Sequence, residues 1–426
     1  MSVTRFFNGY YLDYGGAVVR GEVHIEGGRI VYAGVARTNA APKYSRQIDM
    51  KDGYLIPGFK NCHTHSAMTA LRGLGEDLPL LKWLNDCVFP LEAKLTPEDV
   101  YWGTKLAILE YVRGGTTAIS DMYFFEDEIA RAVTESGFKC VAVGSAMDIS
   151  KDAEGQLAEI EALFLKYGRA DANFSFRLGH HAEYTASDTL LKGMAYLVNK
   201  YKAPIYHHLS ESRGEVEGCA ARTGLTPPLR LAELGLYNYG GAGYHCINLT
   251  DADVVVMKKF GVAVVSCPMS NLKVAGIAPI WRYRNAGLEI AVGTDGAASA
   301  NTLDMFQETR LLSALQKGVL SQSEVMGAEL SLLAAVSTGA RVLGLHDCDG
   351  IQAGKTADLA LIDVNSPQMQ PASNPLCDIV YSARPENVRL TMVNGKILYE
   401  DGDYKINEAP ERIYAEVKKI VKRIRA

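Results

Sequence analysis

From Phe59 to about Leu345 the chain repeats one unit, a short apolar β-rich segment followed by a stretch of helical periodicity. Segments 59–63, 117–121, 140–144, 174–179, 203–207, 242–246, 262–266 and 289–293 read as strands. Between them lie helical runs such as Pro97–Arg113, Glu126–Ser136, 154–167 and 188–200. Near-continuous apolar strands alternating with amphipathic helices are the pattern of a parallel sheet covered by helices. Eight such strands predict a (β/α)8 TIM barrel. The alternative is an open doubly wound sheet, but no Gly-x-Gly-x-x-Gly follows the first strand, which argues against a dinucleotide-binding crevice.

The two ends differ in texture from the middle. Residues 1–56 read as short strands (Tyr10–Leu12, Ala17–Ile25, Arg29–Ala33) with turns at Gly15-Gly16 and Gly27-Gly28. Residues 357–363 and 389–399 look the same, with Asn394-Gly395 as a hairpin turn. Neither end is large enough to bury a core alone. Residues 1–56 and 355–426 are therefore expected to form one discontinuous β-sandwich domain around a barrel of residues 57–354. A basic amphipathic helix, 408–425, is expected to cap the fold with one face in solvent.

A chain of 426 residues, 48% hydrophobic and 22% charged, is an ordinary globular composition with a sizeable core. The net charge of −5 offers no basic footprint for nucleic acid or an anionic membrane. The eight cysteines are scattered, without a C-x-x-C, as expected of free thiols in a reducing compartment. No window nears the ~20 apolar residues of a membrane span, and no signal peptide is apparent, so a cytoplasmic location is expected.

In a (β/α)8 barrel the C-terminal strand ends face the active site. Strand one ends in His63-Thr-His65, and alternation sends both imidazoles to one face. Strand four runs into His180-His181, strand five into His207-His208 with Glu211 just beyond, strand six into His245 and strand eight into Asp295. Seven of the nine histidines sit at these ends. Two histidines of strand one, one of strand five and Asp295 make a nitrogen-and-oxygen site suited to Zn²⁺, with Fe²⁺ or Mn²⁺ possible. An ion so held lowers the pKa of a bound water enough to make it a nucleophile. Glu211 is placed to carry its proton onward, and His245 to orient the attacking oxygen or polarise the reacting centre. Only one histidine of each doublet faces the axis, so the other is a packed or supporting residue. Asp121, ending strand two, is read as a cap or a support.

These residues resemble the amidohydrolase superfamily, in particular the branch of S-adenosylhomocysteine/5′-methylthioadenosine deaminases and their chlorohydrolase-like relatives. The similarity runs nearly end to end: LIPGFKNCHTHSAMTALRG (55–73), HHLSES (207–212), SCPMSNLKVAGIAPI (266–280) and GTDGAASANTLDMFQE (293–308). The resemblance implies His63, His65, His208 and Asp295 as metal ligands, choosing His208 over His207 by its three-residue spacing to Glu211. It implies Glu211 as the acid/base that protonates the ring, His245 beside the attacking oxygen, and Asp295 as proton acceptor as well as ligand. Trp83, Glu92 and His181 are implied as nucleoside contacts, with Glu92 on the ribose hydroxyls. Strand four lacks the lysine that two-metal members carboxylate, which points to a single ion. The family also implies a dimer or larger homo-oligomer.

Two departures bear on substrate. Members that take S-adenosylhomocysteine place arginines after strand three, where this chain has Gly144 and Gln156. Glu183 stands where relatives commonly have proline. The expected activity is hydrolytic deamination of an uncharged adenine nucleoside, such as 5′-methylthioadenosine, 5′-deoxyadenosine or adenosine. The alternative is a deaminase or chlorohydrolase of guanine, 8-oxoguanine, cytosine or a triazine.

Overall fold

A computed structural model describes residues 3–36, 43–148, 152–168 and 173–426. Eight parallel strands succeed one another in chain order: Phe59–Thr64, Thr116–Asp121, Cys140–Val143, Phe174–Gly179, Ile205–Leu209, Gly241–His245, Val262–Ser266 and Ile290–Val292. All eight expected strands are present. The fifth starts two residues later than expected because Pro204 has no N–H to give to a ladder. It thereby contains both His207 and His208.

The last strand meets the first just beyond their paired segments. The amides of Thr294 and Asp295 both donate to the His63 carbonyl, at 3.1 and 2.9 Å. The Asn61 amide donates to Thr294 Oγ1 at 2.7 Å and its oxygen accepts from the Thr294 amide at 3.0 Å. A Cβ at Gly293 would fall 2.7 Å from the His63 backbone, so only glycine lets the strands approach this closely. This seam fixes two predicted ligands, His63 and Asp295, against each other.

Helices cover the barrel as the periodicity predicts. Pro97–Arg113 begins at a Thr96/Asp99 capping box with proline at its first position and ends at Gly114. The C-terminal helix Pro410–Ile424 buries Ile413, Val417, Ile420 and Ile424. It is tied to the start of that barrel helix by Arg423, which pairs with Asp99 and donates to the Lys94 carbonyl.

The terminal strands form one nine-stranded sheet: Val3–Leu12, Val18–Glu26, Arg29–Gly34, Tyr44–Asp49, Tyr54–Pro57, Leu359–Ile362, Val388–Val393, Lys396–Glu400 and Asp403–Tyr404. Leu359–Ile362 pairs with Tyr54–Pro57, so the two chain ends are hydrogen-bonded into one layer system. The sheet curls back on itself, with Ile30 N donating to Lys355 O at 2.8 Å and Ala357 N to Gly28 O at 2.9 Å. Phe6, Val23, Ile30, Leu359 and Leu390 share the core that results. All eight cysteines are free, six of them buried. Among the described residues no helix is long and apolar enough to cross a membrane.

Candidate metal centre and nucleoside pocket

The C-terminal strand ends gather the predicted residues at the floor of one cleft. His65, His181, His208, Glu211, His245, Asp295, Trp83 and Glu92 line it, and His63 lies buried directly beneath. Strand register settles both histidine doublets. His208 reaches the floor, while His207 turns outward, its Nδ1 3.0 Å from the His208 carbonyl and its Nε2 3.2 Å from the Tyr237 hydroxyl. His180 stacks on His207, ring centroids 4.6 Å apart, and His181 faces the cleft.

Candidate ligand atoms of His63, His65 and His208 lie within 4.8 Å of one another, as do those of His63, His245 and Asp295. Asp295 Oδ1 is 3.5 Å from His63 Nε2 and 3.1 Å from His65 Nε2. Donors about 2.1 Å from a tetrahedral ion stand roughly 3.4 Å apart, so this set fits a divalent ion. His63 strengthens the fit: it is fully buried and neither ring nitrogen has a hydrogen-bond partner. An unpartnered buried imidazole is an expensive feature unless something occupies its lone pair.

Neighbouring groups aim the candidate ligands. His65 Nδ1 donates to the Met122 carbonyl at 2.5 Å and His208 Nδ1 to the His181 carbonyl at 2.7 Å, which leaves each Nε2 for the cleft. Asp295 Oδ2 accepts from Ser270 Oγ at 2.6 Å and Ser299 Oγ at 2.9 Å, turning Oδ1 toward the histidines. Burial alone raises an aspartate, but His63 and His65 outweigh it and hold Asp295 well below the usual carboxylate range. Asp121 accepts from the Ser66 amide at 2.9 Å and from its hydroxyl, so it fixes the turn just after His65, the supporting role read from the sequence.

His245 has a left-handed backbone, φ 67°, unusual for a non-glycine residue and a sign of imposed geometry. Its Nδ1 is held 2.8 Å from Asn271 Oδ1, and its Nε2 sits 3.9 Å from Glu211 Oε1. The Glu211 carboxyl is pushed up by burial, against the pull of His245. Farther out, burial pushes Glu92 up to about 7, opposed by the Tyr123 hydroxyl, and lowers His181 to about 4. Glu92 Oε1 has no hydrogen-bond partner. His181 Nδ1 is engaged by Thr185 Oγ1 at 3.0 Å, leaving Nε2 for the cleft.

Gly144 and Gln156 present no charge to the cleft. A Cβ at Gly144 would meet Ile160 Cδ1 at 2.5 Å, and the Gln156 side-chain oxygen accepts from the Met147 amide at 3.3 Å. Among the described residues no lysine or arginine lines the cleft; Met68, Met122, Met147, Leu80 and Leu84 do. Ser270, Ser299, Asn271 and Tyr123 escaped the sequence reading. Ser270 and Asn271 follow strand seven in the quoted SCPMSN stretch, so the strand-end rule was a usable signal for them.

Residues 54–398 match the model of the amidohydrolase family. The chain is 38% identical over 409 residues to a 5-methylthioadenosine/S-adenosylhomocysteine deaminase of Moorella thermoacetica, covering 95% of each chain. It is 39% identical over 402 residues to a 5′-deoxyadenosine deaminase of Methanothermobacter thermautotrophicus, covering 93% of each. A solved adenosine deaminase from Xanthomonas campestris with bound zinc superimposes with a TM-score of 0.94 at 33% identity, over 99% of this chain and 98% of that one. A triazine hydrolase at 20% identity shares the fold, with a TM-score of 0.91. With the family model spanning most of the chain and the ligand cluster at its strand ends, this protein belongs to the amidohydrolase family.

Proposed function

We propose that this protein is a zinc-dependent hydrolytic deaminase of adenine nucleosides, converting the 6-amino purine to the inosine analogue and releasing ammonia. The observation that carries the reading is the placement of Glu211, a buried carboxyl 3.9 Å from His245 Nε2, on the same floor as the His63, His65, His208 and Asp295 cluster. A buried carboxyl at that point, its pKa raised by desolvation, suits an aromatic ring that must accept a proton at N1 before C6 takes a nucleophile. The named activities of the relatives support the same substrate class.

His63, His65, His208 and Asp295 would hold the ion, which when bound supplies a water activated for attack near neutral pH. Glu211 gives its proton to the purine N1, which makes C6 electrophilic. His245 Nε2 orients the attacking oxygen. Asp295 Oδ1 takes the proton that oxygen loses and passes it to the departing amino group. The C6–O bond forms; as the C6–N bond breaks and ammonia leaves, the hydrogen still on the C6 oxygen passes to the Glu211 carboxylate, which gives the 6-oxo product with its N1 proton and restores the acid. At the other end, Glu92 accepts from the ribose hydroxyls, Trp83 packs against the sugar side, and His181 Nε2 meets the base.

The missing cations support an uncharged 5′ group. A substrate carboxylate brought into this cleft would find no guanidinium among the described residues to replace its water. The reading therefore favours 5′-methylthioadenosine, 5′-deoxyadenosine and adenosine over S-adenosylhomocysteine. Conversion of adenosine to inosine by the zinc-loaded protein, followed by ultraviolet absorbance, tests it.

A further inference from the structure

The turn that carries His181 also carries a carboxylate with no role in the chemistry. Glu183 lies between His181 and Tyr184, both of which line the cleft, yet its own side chain points away and is 0% exposed. Two guanidiniums meet it there. Arg222 Nη2 donates to both carboxylate oxygens, at 3.1 and 2.7 Å, and Arg230 Nη1 pairs with Oε1. Arg230 also reaches Asp188, the first residue of the helix Asp188–Tyr201 that follows the turn.

Arg222 belongs to the helix Arg213–Thr223, which starts two residues after Glu211. On its first turn Glu215 accepts the amides of Ser210 and Glu211, at 2.8 and 2.9 Å. One rigid helix thus grips the backbone of Glu211 at its beginning and the His181 turn near its end. Among the described residues no other hydrogen bond joins the Glu183–Thr185 turn to this helix. A buried carboxylate stripped of its cations is strongly unfavourable, so the turn has one seating in which Glu183 is paired.

We infer that Glu183, clamped by Arg222 and Arg230, is a positioning residue that sets the distance between the base-contacting His181 turn and the acid/base Glu211. The inference rests on the deaminase reading for its kinetic consequence; the clamp itself does not. Glu183 touches neither substrate nor metal. It acts through the seating of His181 and Tyr184, so its loss loosens nucleoside binding before it alters the chemical step.

The test uses full-length zinc-loaded protein as wild type, Arg222→Ala, Glu183→Gln and Glu183→Asp. Arg222 is half exposed, so its truncation is compatible with folding even where Glu183→Gln is not. In R222A and E183Q the expected KM for adenosine rises about five-fold or more, while kcat stays within about two-fold and bound zinc is unchanged. E183D recovers part of the loss. Deuterium uptake across 181–187 rises in the same variants. Wild-type KM and wild-type exchange in R222A, with only a lowered Tm, would overturn the inference. If wild type turns over no adenine nucleoside, the functional reading fails, and exchange across 181–187 still decides the clamp.

Discussion

His208 is bound to His181 twice: its ring Nδ1 and its backbone amide both donate to the His181 carbonyl, at 2.7 and 2.9 Å. One carbonyl at the end of strand four therefore selects the tautomer of His208, a proposed metal ligand on strand five, and fixes its ring plane. His181 turns its own side chain into the cleft. In the proposed site, metal geometry and substrate geometry would be coupled through a single peptide group.

The supporting hydroxyls on Asp295 give a first prediction. Ser270→Ala with Ser299→Ala removes both donors to Oδ2 and frees the carboxylate to rotate. Zinc affinity is expected to fall about 10–100-fold, with activity recovered by excess zinc. Competition with a chelator of known affinity measures it, and unchanged affinity in the double variant would show that the hydroxyls do not orient the ligand.

Glu211→Gln keeps the shape and the hydrogen-bonding length of the side chain but cannot deliver a proton. Its kcat on adenosine should drop about 10²–10⁴-fold with zinc content intact. Metal analysis beside steady-state kinetics separates this outcome from a lost ion. Retention of more than a tenth of the wild-type rate would remove Glu211 from the acid/base role.

Glu92 bears on sugar recognition. Glu92→Ala should raise the KM for adenosine about 10–100-fold, the worth of a hydrogen bond to a charged group. It should also narrow the gap between adenosine and 2′-deoxyadenosine, because the variant no longer reads the hydroxyl that differs. Equal discrimination in variant and wild type would place the ribose elsewhere.

Stability should depend on pH through Glu126, at the first turn of the helix Glu126–Ser136 and far from the ligands in sequence. Burial pushes its carboxyl up to about 7, helped by Glu159 and Asp127. A carboxyl raised on folding favours the folded state while protonated. That stability is full below the ordinary value near 4.5 and is lost as pH rises through about 7. The loss is roughly 3 kcal/mol at most. Denaturant midpoints at about pH 5 and about pH 8 should differ less in Glu126→Gln than in wild type, and an equal difference would contradict this assignment.

Much of the site was legible because barrel chemistry is confined to strand ends, and short apolar strands announce where they end. His63 and His65 needed only the two-residue period of a strand. The doublets were harder. Which of His207 and His208 faces inward depends on register, His207 opposite Gly243 and His208 opposite Tyr244, and register is a property of the neighbouring strand. Trp83 and Glu92 had no local signal at all, since they lie in irregular helical turns folded across the cleft and became visible only through resemblance. The strand Tyr44–Asp49 was missed for a related reason: four of its six residues are exposed or half-exposed polar groups, so no apolar alternation marks it.

Deamination of uncharged adenine nucleosides is read from ammonia release by the zinc-loaded protein. The panel is adenosine, 5′-deoxyadenosine, 5′-methylthioadenosine, S-adenosylhomocysteine, guanine and cytosine. Rapid release is expected from the first three, slow release from S-adenosylhomocysteine and none from the free bases. Turnover of S-adenosylhomocysteine equal to that of 5′-methylthioadenosine would contradict the argument from the missing cations, and release from guanine or cytosine alone would contradict the deamination of nucleosides.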